Sequence, residues 1–134
     1  MMLVDANVLM YAAGTEHANK ATALEFLRRV ANEEVEATVD AEVLQEIIHR
    51  YRALRRWPDG QKVFALARRL FPDVLAITGS VMDQAKLLAD GDANLSARDA
   101  IHAAVVRAYK LEGICTFDKD FDRIPGCRRV GIGS

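Results

Sequence analysis

Apolar residues recur along the chain in two rhythms, and these divide it into alternating elements. MLVD (2–5) is a short strand. HANKATALEFLRRVANE (17–33) has a helical stripe of Leu24, Leu27 and Val30–Ala31, and VEATV (35–39) is a second strand. AEVLQEIIHRYRALRR (41–56) is a helix with the stripe Leu44, Ile47, Ile48, Tyr51 and Leu54, broken by Pro58–Asp59–Gly60. A further helix spans QKVFALARRLF (61–71) and stops before Pro72. VLAI (74–77) is a third strand, SVMDQAKLLAD (80–90) a helix ending at Gly91, and GDANLS (91–96) a loop. ARDAIHAAVVRAYKLEG (97–113) is a long helix with Gly113 as its stop, and ICTF (114–117) is a fourth strand, with a short fifth in RRVGI (128–132). Strand and helix in alternation specify an α/β fold with a mostly parallel sheet, and its ligand sites belong at the carboxyl ends of the strands.

Length and composition fit this picture. The 134 residues suit a single domain over 1–134, half of them hydrophobic and 28% charged, as in a globular protein with a substantial core. The net charge of −1 confines any nucleic-acid site to a local patch. The N-terminus has no basic leader, and no apolar run approaches the roughly 20 residues that cross a bilayer, so the expected location is cytoplasmic. Cys115 and Cys127 lack zinc-site spacing and read as reduced thiols, with Cys115, in the apolar run GICTF, a small buried hydrophobe.

The chemistry lies in the acids. Asp5 ends the first apolar strand, where an aspartate commonly caps the following helix, and Asn7 beside it is placed to orient the carboxylate. Glu46 sits in VLQEIIHR, one turn from Glu42 and Arg50, and pairing with Arg50 is its ordinary role on a helix surface. Ser96-x-x-Asp99 is a capping-box arrangement, in which Asp99 can still face inward. His102, three residues on, shares that face and reads as a packed helix histidine. Ile101, Ala104, Val105 and Ala108 form the face toward the sheet. Asp118, Asp120 and Asp122 crowd TFDKDFDRIPG just after the fourth strand, with Asp118 nearest the strand end. Asp5, Glu46, Asp99 and Asp118 together place four carboxylates at one end of a parallel sheet. Such a cluster takes up protons or binds a cation. All-oxygen ligands favour Mg²⁺ or Mn²⁺ over zinc.

LVDANVL, VLQEIIHR, LSARDAIHAA and TFDKDFDRIPG, in that order and spacing, resemble the PIN domain family, in particular the VapC-type toxin ribonucleases of bacterial toxin–antitoxin pairs. The resemblance covers essentially the whole chain. It implies a three-layer α/β/α sandwich and a catalytic, metal-binding quartet of Asp5, Glu46, Asp99 and Asp118. Asn7 and Thr116 match small polar positions around the metal, and Asp122 a further supporting acid. Asp40 stands where relatives often carry serine or threonine; an aspartate caps equally well and adds negative charge near the site. The implied activity is Mg²⁺-dependent endoribonucleolytic hydrolysis, with Mn²⁺ as a substitute, leaving 5′-phosphate and 3′-hydroxyl ends. The implied partners are RNA, a cognate antitoxin that inserts a basic side chain into the acid cluster, and a second copy of the chain.

HRYRALRRW adds Arg50, Arg52, Arg55 and Arg56, interleaved with Tyr51 and Trp57, a composition suited to single-stranded RNA. Three other readings compete. A catalytically silent PIN module would bind RNA or protein without cutting. A haloacid dehalogenase-type phosphatase needs a second aspartate two residues after the first, where this chain has Asn7. A receiver-type signalling domain needs a different order of acids.

Overall fold

The structure is a computed structural model and describes residues 1–132. Four parallel strands, β1 (Met2–Val4), β2 (Ala37–Asp40), β3 (Val74–Leu75) and β4 (Ile114–Cys115), lie in the order β3-β2-β1-β4. Among the described residues six α-helices surround them: α1 (Ala6–Ala13), α2 (Lys20–Ala31), α3 (Ala41–Ala53), α4 (Trp57–Leu70), α5 (Gly79–Gly91) and α6 (Ala97–Ala108). A 3-10 helix follows at Lys119–Arg123.

Strand alternation builds the layers. Met2 and Val4 face a core filled from α1 to α4, including Leu9, Phe26, Ile47 and Val63. Leu3 and Ile114 face the opposite core, filled by α5 and α6 with Phe121 and Ile124. The pairing of Leu3 with Ile114 and of Val4 with Cys115 keeps the two faces in register. The result is the expected three-layer α/β/α arrangement on a parallel sheet. Cys115 and Cys127 are buried free thiols, and burial pushes both up to about 12, so they behave as small hydrophobes.

Several boundaries depart from the sequence reading. Helix α1 directly follows β1, in a stretch the periodicity left unassigned, because ANVLMYAA is apolar on nearly every side. Pro58 does not break the chain between helices; it lies in the first turn of α4, where its missing N–H is not needed. Gly60 lets α4 approach α3, since a Cβ there would lie 2.6 Å from Tyr51 Cβ. On α2, Ala23 and Phe26 are buried and Leu24 is exposed; on α3, Val43, Ile47 and Tyr51 are buried while Ile48 and Leu54 face solvent.

Helix α6 ends at Ala108, earlier than expected, in a Schellman-type turn. Lys110 takes φ 55°, and Leu111 N–H donates to the Val106 carbonyl. Ala108 is therefore exposed rather than packed on the sheet. Gly113 serves packing, not helix termination: a Cβ there would lie 2.2 Å from the Arg128 carbonyl oxygen. The expected fifth strand is reduced to one parallel bridge between Ile114 and Arg129, because Gly131 at φ +84° turns the chain away.

Candidate metal centre and its cleft

Asp5 leaves β1 and caps α1, and both its oxygens are held. Oδ1 accepts from the Ala6 N–H at 2.7 Å, and Oδ2 accepts from the Thr116 hydroxyl at 2.7 Å. Thr116, just past β4, accepts in turn from the Asn7 amide at 3.0 Å and from the Asp118 N–H at 3.0 Å. The Phe117 N–H donates to Asn7 Oδ1 at 3.4 Å. One hydroxyl thus ties the ends of two neighbouring strands together and fixes where Asp5 points. Asp118 caps the 3-10 helix through the Asp120 N–H at 2.9 Å.

Glu46 enters from the middle of α3. Its partner is not Arg50 but Arg98, whose Nε lies 3.2 Å from Oε1. Ser96 caps α6 by accepting from the Asp99 N–H at 3.2 Å, as the capping-box spacing predicts, and the Asp99 side chain lines the same cleft as Glu46. Burial first, then Asp5, holds the Glu46 carboxyl above its ordinary value, with Arg98 opposing. Burial, then Asp118 and Asp5, raises that of Asp99. These directions mark carboxylates that repel one another in a partly dehydrated space.

Asp5, Asn7, Glu46, Asp99 and Asp118 all line one cleft of about 600 Å³, together with Arg50, Arg56 and Arg98. Its rim carries aromatic rings: Tyr11 stacks on His17 with centroids 4.5 Å apart and meets Phe117 edge-on at 5.2 Å. Not every candidate reaches the cleft. Asp122 pairs with Arg129 at 2.8 and 3.0 Å and is exposed. Arg52 stacks over Trp57 at 4.6 Å, and Arg55 takes the φ 55° position that ends α3.

The cap that Asp40 was expected to make is present, but two contacts lie outside what the sequence indicated, Arg98 with Glu46 and Asp40 with His102. Arg98 precedes Asp99 and was not singled out. Asp40 is fully buried and does two tasks: Oδ1 accepts from the Val43 N–H at 2.9 Å, and Oδ2 lies 2.7 Å from His102 Nδ1. The three-residue spacing of Asp99 and His102 was the available signal for the histidine. Asp40, ending an apolar strand as Asp5 does, was the signal for its partner. Burial disfavours the charged imidazole of His102, but Asp40, and then Asp5 and Glu46, outweigh it and push its pKa up to about 9.

The donor set fits a divalent cation. Besides the acids, the buried His102 Nε2 has no hydrogen-bond partner, and Asp5, Glu46 and His102 each offer a ligand atom, all within 4.8 Å of one another.

Comparison with known proteins identifies the family and the fold. The family model for the PIN domain matches residues 2–126. Ribonuclease VapC13 of Mycobacterium tuberculosis is 36% identical, over 97% of this chain and 99% of its own. Ribonuclease VapC23 of the same species is 30% identical, over 88% and 93%. Among solved structures, Mycobacterium tuberculosis VapC20, a Sarcin-Ricin loop cleaving toxin, superposes with a TM-score of 0.73 over 98% of both chains at 24% identity. VapBC2 from Rickettsia felis, bound to a DNA fragment from its promoter, gives 0.72 over 96% of both at 15% identity, and these two likenesses bear on the fold alone. The chain belongs to the PIN domain family and stands among its VapC ribonucleases.

Proposed function

We propose that this protein is a metal-dependent endoribonuclease and the toxin of a VapBC-type pair, built as a single PIN-like domain over 1–134. The observation that carries the reading is the convergence in one cleft of Asp5, Glu46, Asp99 and Asp118, contributed by four separate segments. The VapC ribonucleases that share most of the chain's length support it. Asp5, Asp99, Asp118 and Glu46 would hold Mg²⁺, with Mn²⁺ as a substitute. A divalent ion so held supplies water activation and charge stabilisation at the scissile phosphate.

The chain's own residues prepare that chemistry. Thr116 and Asn7 hold Asp5 still. Arg50, Arg56 and Arg98 attract the RNA backbone, while Tyr11 and His17 offer ring faces to unpaired bases. Arg52 and Arg55 extend the positive charge along the end of α3, and Asp122 acts at a distance by anchoring Arg129. In the reaction a water oxygen bonds to phosphorus, the bond to the 3′ oxygen breaks, and the leaving oxygen takes a proton, giving 5′-phosphate and 3′-hydroxyl ends.

The expected partners are RNA, a cognate antitoxin whose basic side chain fits the acidic cleft, and a second copy of the chain; the solved relatives include toxin–antitoxin complexes. No helix among the described residues is long and apolar enough to cross a membrane, and cytoplasmic action is the reading consistent with an RNA substrate. Nothing in the cleft favours a phosphatase, since Asn7 occupies the place of the required second aspartate.

The test is RNA cleavage by purified, partner-free protein in Mg²⁺ or Mn²⁺ against EDTA, with Asp5→Asn and Asp99→Asn alongside. Metal-dependent cutting to 5′-phosphate ends, lost in both variants, is the expected result. Cyclic phosphate ends, or activity surviving in both variants, would overturn it. A protein that binds metal and RNA yet cuts no RNA would be a silent module.

A further inference from the structure

We propose that the metal site of this protein contains a nitrogen ligand, Nε2 of His102, held in position by Asp40. The inference rests on the divalent-metal reading of the cleft and extends it beyond the acid quartet.

His102 lies on α6 one turn beyond Asp99 and is 1% exposed. Its Nδ1 is committed to Asp40 Oδ2 at 2.7 Å. Asp40 cannot swing away, because its other oxygen caps α3 through the Val43 N–H and the residue is fully buried. With Nδ1–H donated to Asp40, Nε2 is the ring position open to a proton in the metal-free protein or, once that proton is displaced, to a metal ion. Nε2 has no hydrogen-bond partner and faces Asp5 Oδ1 at 3.8 Å.

This separation is too long for a hydrogen bond, which ends near 3.2 Å. It lies below the ceiling of about 4.2 Å for two donor atoms each about 2.1 Å from a shared ion. Glu46 offers an oxygen within the same 4.8 Å cluster. A buried Nε2 facing carboxylate oxygens calls for positive charge between them, supplied by a proton on the ring or by a metal ion that displaces it. Carboxylate, imidazole and metal in line is also a recurrent arrangement, in which the carboxylate fixes the ring and makes it a better donor. Asp5 comes from the end of β1, Asp40 and Glu46 from the continuous β2–α3 segment, and the ring is aimed among them from α6. An imidazole ligand favours Mn²⁺ and later transition ions over Mg²⁺ more strongly than carboxylates alone would.

The chain has three histidines, so the test uses untagged His17→Gln/His49→Gln protein, in which His102 is the sole imidazole. Mn²⁺ is added and pulsed electron paramagnetic resonance is recorded, with unlabelled and with ring-¹⁵N histidine. The expected result is coupling to one directly bound nitrogen that changes with the isotope. In the same measurements on Asp40→Asn, Mn²⁺ affinity falls about 10- to 100-fold. Mn²⁺ that binds in an Asp5-dependent manner without nitrogen coupling would overturn the histidine ligand and leave the acid site standing. Absence of Mn²⁺ binding to the unsubstituted protein would overturn the metal reading itself, and this inference with it. Because the decisive spectrum needs no change at His102, a folding defect in a His102 variant does not affect it.

Discussion

His102 Nδ1 and Asp40 Oδ2 stand 2.7 Å apart in the interior, joining α6 to the point where β2 becomes α3. The pair therefore spans the two elements that carry Asp99 and Glu46. Removing one partner leaves the other charge buried without compensation. Asp40→Ala should lower unfolding free energy by about 3–5 kcal/mol, measured by urea denaturation in EDTA. A loss no larger than that of an exposed aspartate would show that the pair does not hold these elements together.

The same pair sets a pH dependence. The folded pKa of His102 is raised from 6.5 to about 9, so the stability it contributes is fully present below about pH 6.5 and is lost as pH rises through 9. Glu46 and Asp99, also raised, act in the same direction from the carboxylate range upward. Metal-free protein should melt at progressively lower temperature across this window. A divalent ion should offset the loss, because metal and proton compete for one space. Melting temperatures that rise with pH in EDTA would contradict this account.

Thr116→Val keeps the shape of the side chain and removes the hydroxyl that Asp5, Asn7 and the Asp118 N–H share. The expected cost is about 1–3 kcal/mol in stability, together with weaker Mn²⁺ binding by calorimetry. Unchanged Mn²⁺ affinity would mean that Thr116 does not position Asp5.

The arginines divide by location. Arg50, Arg56 and Arg98 line the cleft, and Arg52 and Arg55 do not. Each alanine variant of the first group should flatten the salt dependence of single-stranded RNA binding, by about 0.7 in the slope of log K against log salt. Arg52→Ala and Arg55→Ala, which remove charge outside the cleft, should change that slope by less. Filter binding in EDTA across a salt series measures it, and equal effects in both groups would spread the RNA path over the whole end of α3.

Gly113→Ala tests the edge of the site. Its Cβ would meet the Arg128 carbonyl at 2.2 Å, and backbone on both sides would have to move. Overpacking of this kind costs about 1–3 kcal/mol. Because β4 leads directly into Thr116 and Asp118, cleavage should fall along with stability. A fully stable, active variant would show that the last strand is not held in register here.

Much of the fold was legible along the chain. The alternation of strand and helix follows from apolar periodicity, which local burial imposes on every element. The strand-end Asp5 and the Ser96 cap are local as well, since each binds backbone within a few residues. The capping reading of Asp5 and its ligand reading are compatible, because one oxygen can cap while the carboxylate still lines the cleft.

What periodicity missed has a common cause. In α1, apolar residues on all sides erase the rhythm that would mark a helix. In α4, Pro58 reads as a break until the first turn is seen to need no N–H from it. Gly113 reads as a helix stop until Arg128 is seen against it.

The sequence by itself determined the class of fold and where α3 and α6 begin, and it singled out the four acids, because those depend on short-range pattern and on side-chain chemistry. Only the tertiary structure decided which charges meet. Arg98, not Arg50, faces Glu46; Asp122 turns to Arg129; and Asp40 joins His102 across 62 residues of sequence. Partners that far apart are chosen by how the layers pack, and no local spacing encodes that choice.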